Sequence, residues 1–124
     1  LFRRRDDVAT IGDALERRAS GSGYRRISGA LRRDVYTVRG WLRAFAREAE
    51  VVRAHFTRWA YALDVVLGPI PSAGDGFGDA VSAVAVAARA WVLRFGPAPV
   101  WEVAAALSGG MLLFHTSSPL PPLG

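Results

Sequence analysis

From Val35 onward an apolar or small residue returns every three or four positions: Val35, Val38, Leu42, Phe45, Ala49, Val52, Phe56, Trp59, Leu63 and Val66. That is the spacing of one face of an α-helix. Neither Gly nor Pro falls between Gly40 and Gly68. The spacing therefore predicts a single helix over 35–67, on the order of 50 Å long at about 1.5 Å per residue. A stripe of this length must be covered. A coiled-coil homodimer would bury it between two copies, with Glu48 and Arg53 placed to exchange ion pairs between helices. Packing on the chain's own C-terminal helices would bury it internally. Phe56 and Trp59 are bulky for a two-stranded seam, and Ala46, Ala60 and Ala62 widen the apolar face, so internal packing is the preferred reading and the dimer stays open.

The segment before the stripe has its own pattern. Val8, Ile11, Ala14, Leu15 and Ala19 lie at helical spacing over 6–19, and Ser20-Gly21-Ser22-Gly23 closes that helix. A short helix follows over 24–31, with Ile27, Ala30 and Leu31 facing inward. Asp34 stands where its carboxylate can accept bonds from free amides at the next helix start. Two short helices separated by Arg32-Arg33-Asp34 read as a helix-turn-helix, the second entering the DNA major groove. With Val35, Val38 and Leu42 inward, Tyr36, Thr37, Arg39 and Gly40 are the candidate base contacts, Gly40 by permitting close approach. Arg25, Arg26, Arg32, Arg33 and Arg43 are the candidate phosphate contacts. Trp41 reads as a packing residue, and Arg3-Arg4-Arg5 as a solvated terminus in preference to a minor-groove arm.

Charge supports this division. All 16 basic residues are Arg, the cation with a fixed fork suited to phosphate and guanine. Residues 1–58 hold 14 Arg against seven acids, a net of +7, while 59–124 carry a net of −2. A basic front joined to an apolar rear is the layout of a polyanion-binding part and a packing part.

In the rear, 68–78 reads as a Gly/Pro-rich connector, and Gly74-Asp75-Gly76-Phe77-Gly78 within it lacks the strand and the Lys-Ser/Thr of a phosphate loop. Asp79 is the expected cap of a helix over 80–95, with Val81, Val84, Ala88, Trp91, Val92 and Phe95 inward. Gly96-Pro97-Ala98-Pro99 breaks it, a last helix covers 100–107 before Gly109-Gly110, and the residues after Phe114 have no core pattern. The fold expected is all-α: a three-helix helix-turn-helix with an extended recognition helix packed against two C-terminal helices. Its parts are 1–47 (DNA binding), 48–114 (helical extension, open to dimerisation) and 115–124 (flexible tail).

Other classes find little support. The apolar stretches 80–93 and 99–114 are short of the about 20 residues of a spanning helix and contain Arg89 and Glu102, and no signal-peptide pattern begins the chain. The expectation is a cytoplasmic protein without a membrane partner. Cys is absent, so there is no thiolate metal site. His55 and His115 lie apart in sequence, His55 beside the stripe as a structural residue. The carboxylates are scattered, and the mixed α/β domain of a three-carboxylate transposase has no strand pattern here. No enzyme, metal or cofactor is expected.

Leu31 to Trp41, followed by Leu42-Arg43-Ala44-Phe45, resembles the Leu-Gly-Arg-Pro-Val-Ser-Thr-Val-Arg-Gly-Trp-Leu-Arg-Arg-Phe segment of transposase-like, homeodomain-like helix-turn-helix proteins of actinobacteria. Gly109-Gly110-Met111-Leu112-Leu113 with Ser118-Pro119 is similar to the end of those proteins. The chain differs at Arg32, which stands for the turn Gly, Asp34 for Pro and Tyr36 for Ser. The resemblance implies double-stranded DNA as partner and a DNA-recognition module without a catalytic domain, derived from or associated with a transposase. It also implies a missing N-terminal zinc-ribbon-like segment, in keeping with a chain that does not begin with Met. The alternative is a helical protein–protein interaction module whose Arg-rich face is solvated.

Overall fold

The computed structural model describes residues 5–109, and among them the chain forms six α-helices. The first, α1 (Arg5–Ala19), ends as its glycine pair requires: Gly21 turns left-handed at φ 109°, and the Ser22 amide donates to the Arg17 carbonyl over 3.0 Å. Helix α2 spans Tyr24–Leu31, with Ile27 buried and Leu31 half-buried. Ala30, expected to face inward, is exposed. Eight residues are little more than two turns, and the inner side of α2 is filled by Tyr24, Ile27 and Leu31.

After α2 the chain turns left-handed at Arg32 (φ 55°, ψ 49°), and the Arg33 amide donates to the Ser28 carbonyl over 3.1 Å. A Cβ in this conformation costs about 1 kcal/mol or more. The Ser28 hydroxyl steadies the turn by donating to the Arg33 carbonyl over 2.5 Å. Helix α3 (Val35–Arg47) then starts on Asp34, whose carboxylate accepts from the Tyr36 amide at 2.9 Å and the Thr37 amide at 3.1 Å.

The single helix expected over 35–67 is two. Glu48 leaves helical geometry (φ −103°, ψ 8°) and its amide donates to Phe45, three residues back, over 3.1 Å; α4 (Ala49–Leu63) follows. Compactness explains the break. A domain of this size has a radius of gyration of about 13 Å, and a rod on the order of 50 Å would carry one end of the stripe away from the core. Bending at Glu48 lets α3 pack on α1 and α2 while α4 packs along the next helix, α5 (Gly76–Phe95). Most of the stripe is covered within one chain: Val38, Leu42, Phe45, Ala49, Val52 and Phe56 are all 8% exposed or less, and the flanking Ala60 is buried with them. Arg53 makes its ion pair within its own helix, to Glu50.

The stripe also ends sooner than its spacing implies. Asp64 is extended, its carboxylate accepts the Val66 amide over 3.2 Å, and Val66 is 86% exposed. A local aspartate turn here outcompetes the helix. The connector then folds back along α4, where the Tyr61 hydroxyl donates to the Gly68 carbonyl over 2.9 Å. The Arg94 guanidinium donates to the Leu63 carbonyl over 3.3 Å, which ties the C-terminal ends of α4 and α5 together.

Helix α5 begins four residues before its expected start, and its cap is Asp75, not Asp79. The Asp75 carboxylate accepts from the Gly78 amide over 2.6 Å. A Cβ on Gly78 would lie 2.9 Å from both Ala73 Cβ and Asp75 Oδ1, so the cap closes only over glycine. Asp79 instead accepts the Ala73 amide over 2.6 Å and pins the connector. Ala80, Val81, Ala83, Val84, Ala87, Ala88 and Ala90 are buried, whereas Trp91 and Val92 are half-buried and Phe95 is exposed. At 20 residues, with a best-window mean hydropathy of 1.3, α5 is long and apolar enough to cross a membrane, which the shorter expected helix was not. Its alanine-rich face lies in the core against α4.

The last helix, α6 (Val100–Ser108), stops at left-handed Gly109. Two contacts lock it in place. The Trp101 ring lies on the backbone of Gly12, where a Cβ would collide with the ring, and its indole N–H donates to the Glu16 carboxylate over 2.6 Å. The Leu107 carbonyl lies 2.8 Å from His55 Nε2 and accepts the Trp59 indole N–H at 3.1 Å. A single core cluster runs through all six helices. The expected tail (115–124), the Gly110 to Ser118-Pro119 similarity and Arg3-Arg4 lie outside the described residues.

Candidate nucleic-acid interface

Helix α3 divides its residues cleanly. Val38, Leu42 and Phe45 are buried and hold it against α1 and α2. On the opposite side Tyr36, Gly40, Arg43 and Arg47 are all exposed; their spacing of four, three and four places them in one line. Thr37 is exposed beside that line, and Tyr36 stands 72% exposed. Trp41 packs half-buried against the core.

The sequence-predicted residues do not all share this line. Tyr36, Thr37, Gly40 and Arg43 do belong to the outward side. Arg39 is half-buried and turned toward α2, its guanidinium 5.6 Å from the centre of the Tyr24 ring. Arg25 approaches the same ring at 5.4 Å. Arg26 and Arg32 are exposed on α2 and its turn. The Arg33 guanidinium folds back to the carbonyls of Leu31 and Arg32 at 3.3 and 3.4 Å. Arg47 was not foreseen, although its place eleven residues after Tyr36 was a sufficient signal.

Electrostatically this side is one-signed. Asp34 is its only acid, and both short amide contacts of that carboxylate are spent on the cap. Among the described residues no ion pair neutralises Arg25, Arg26, Arg32, Arg43 or Arg47. The nearest regular ion pairs are Arg17–Asp13 on α1 and Arg53–Glu50 on α4. In the second, the hydrogen bond from Arg53 holds the Glu50 carboxyl below its usual range.

Gly40 adds a packing observation. A Cβ there would meet nothing within 4 Å, as at Gly29 on the exposed side of α2. The fold therefore has no steric need for glycine at either position, although glycine inside a helix costs about 0.5–1 kcal/mol relative to alanine. Among the described residues no group of three His, Asp or Glu side chains could hold a metal ion.

No family model, no curated protein and no solved structure matches this chain.

Proposed function

We propose that α2, the Arg32–Asp34 turn and α3 form a helix-turn-helix, and that the chain is a DNA-binding module derived from or associated with a transposition system. The observation that carries this reading is the outward line of α3. It presents an exposed tyrosine, an uncrowded glycine and two unpaired arginines on a helix whose other face is fixed in the core. Tyr36 and Thr37 offer hydroxyls to base edges, and Gly40 lets the helix backbone sit close to the groove floor. Arg43 and Arg47 along the helix, with Arg25, Arg26 and Arg32 from α2 and its turn, would neutralise phosphates. Arg33 would join them once released from its own turn. Arg39, braced on Tyr24, reaches DNA from the flank of the helix.

Selection of bound duplexes from a random pool tests this reading. The expected result is an enriched motif of a few base pairs, and Tyr36→Ala should relax its preference at one or two positions. A pool that stays random after repeated rounds would overturn sequence reading by α3.

A further inference from the structure

Beside the outward line, α3 turns a third set of residues toward the start of α5. Arg39, Leu42 and Ala46, with Arg43 from the outward line, form one wall of an open cleft of about 500 Å³, and Arg18, Gly23, Tyr24 and Phe77 complete it. That size lies in the range of small-molecule sites, about 300–1,000 Å³. Two features of the lining define its chemistry. Three arginines line it, and no acidic residue does. Two of them stand over aromatic rings, Arg18 at 6.0 Å from the centre of Phe77 and Arg39 at 5.6 Å from that of Tyr24.

Stacking on a ring holds a guanidinium in place while leaving its N–H edge free. Among the described residues none of these three arginines has a hydrogen bond or ion pair to an acid, and the Tyr24 hydroxyl has no hydrogen-bond partner. Gly23, at the start of α2, supplies no side-chain cap to the first amides of that helix. The cleft therefore combines flat apolar surface with unspent donors for a doubly charged anion. An aromatic carboxylate would satisfy one arginine fork, whereas a phosphate dianion engages several.

We propose that this cleft is a binding site for a small phosphorylated aromatic ligand of the nucleoside monophosphate class. The ring system lies at the edges of Tyr24 and Phe77, whose faces carry Arg39 and Arg18, and the phosphate is held by Arg18, Arg39 and Arg43. Arg39 and Arg43 are shared with the proposed DNA face, whereas Arg18 and Phe77 are off the outward line, so a change at Arg18 measured without DNA separates the two readings.

Titration of the full chain by NMR and calorimetry, without DNA, tests it. Adenosine 5′-monophosphate is expected to shift the ring protons of Tyr24 and Phe77 and to bind at least tenfold more tightly than adenosine, inorganic phosphate or benzoate. Arg18→Gln, an exposed position whose fold is checked by circular dichroism, should weaken the monophosphate at least tenfold and leave adenosine unchanged. Equal binding of adenosine and its monophosphate, tighter binding of benzoate, or undiminished binding by folded Arg18→Gln would each overturn the proposal.

Discussion

At Gly40 the interests of stability and of binding diverge. The position is exposed, lies inside a helix and has open space beyond its missing Cβ. Gly40→Ala should therefore stabilise the fold by about 0.5–1 kcal/mol, read as a raised melting temperature. If α3 lies close in the groove, the same change should weaken DNA binding. A variant that is stabilised and binds DNA as before would remove Gly40 from the interface. Gly12 is the converse case, since the Trp101 ring occupies the place of its Cβ. Gly12→Ala must displace that ring and stretch the Trp101–Glu16 bond, at a cost of about 1–3 kcal/mol, measured by denaturant unfolding. Neither role was legible in the sequence to the same degree. Gly40 could be placed because its inward neighbours Val38 and Leu42 are periodic, whereas the Gly12–Trp101 contact joins residues 89 positions apart.

Helix ends show what local sequence encodes and what it does not. Asp34 was recognisable as a cap because it directly precedes a periodic run, and its two amide bonds follow from that position. Asp75 was hidden among glycines that read as linker, although the cap needs Gly78 for space. Removing it in Asp75→Ala should cost about 0.5–2 kcal/mol, with hydrogen exchange accelerated first in the opening turn of α5. Unchanged exchange there would show that the early start of α5 does not depend on this cap. The break at Glu48 had no local signal at all. Ala46, Arg47, Glu48, Ala49 and Glu50 are mostly good helix formers, and only the need to keep both halves of the stripe on one core bends the chain there. The half-buried position of Arg39 has a related cause: the ring beside it, Tyr24, comes from the preceding helix, and no periodicity within α3 reports it.

At the scale of the molecule, the charge division and the core describe the same organisation. The basic half contributes α1 to α3 and most of α4, whose apolar faces are closed by the alanine-rich side of α5 and by α6. The all-α class and the position of α2 and α3 were legible because binary patterning at the helical period dominates a chain without a strand signal. The arginines left unpaired on α2 and α3 are the feature that the proposed DNA reading must account for. Binding through five phosphate contacts (Arg25, Arg26, Arg32, Arg43 and Arg47), before Arg33 is released from its turn, would give a slope of log affinity against log salt of about −4 to −5. The most direct measurement is fluorescence anisotropy of a random-sequence duplex with the full chain across a salt series. Tight binding is expected at low salt, with a fall of roughly several-hundred-fold between about 50 and 200 mM and a slope shallower by about 1 for Arg43→Gln. Absence of binding at low salt, or an affinity that does not change with salt, would contradict the proposed DNA reading.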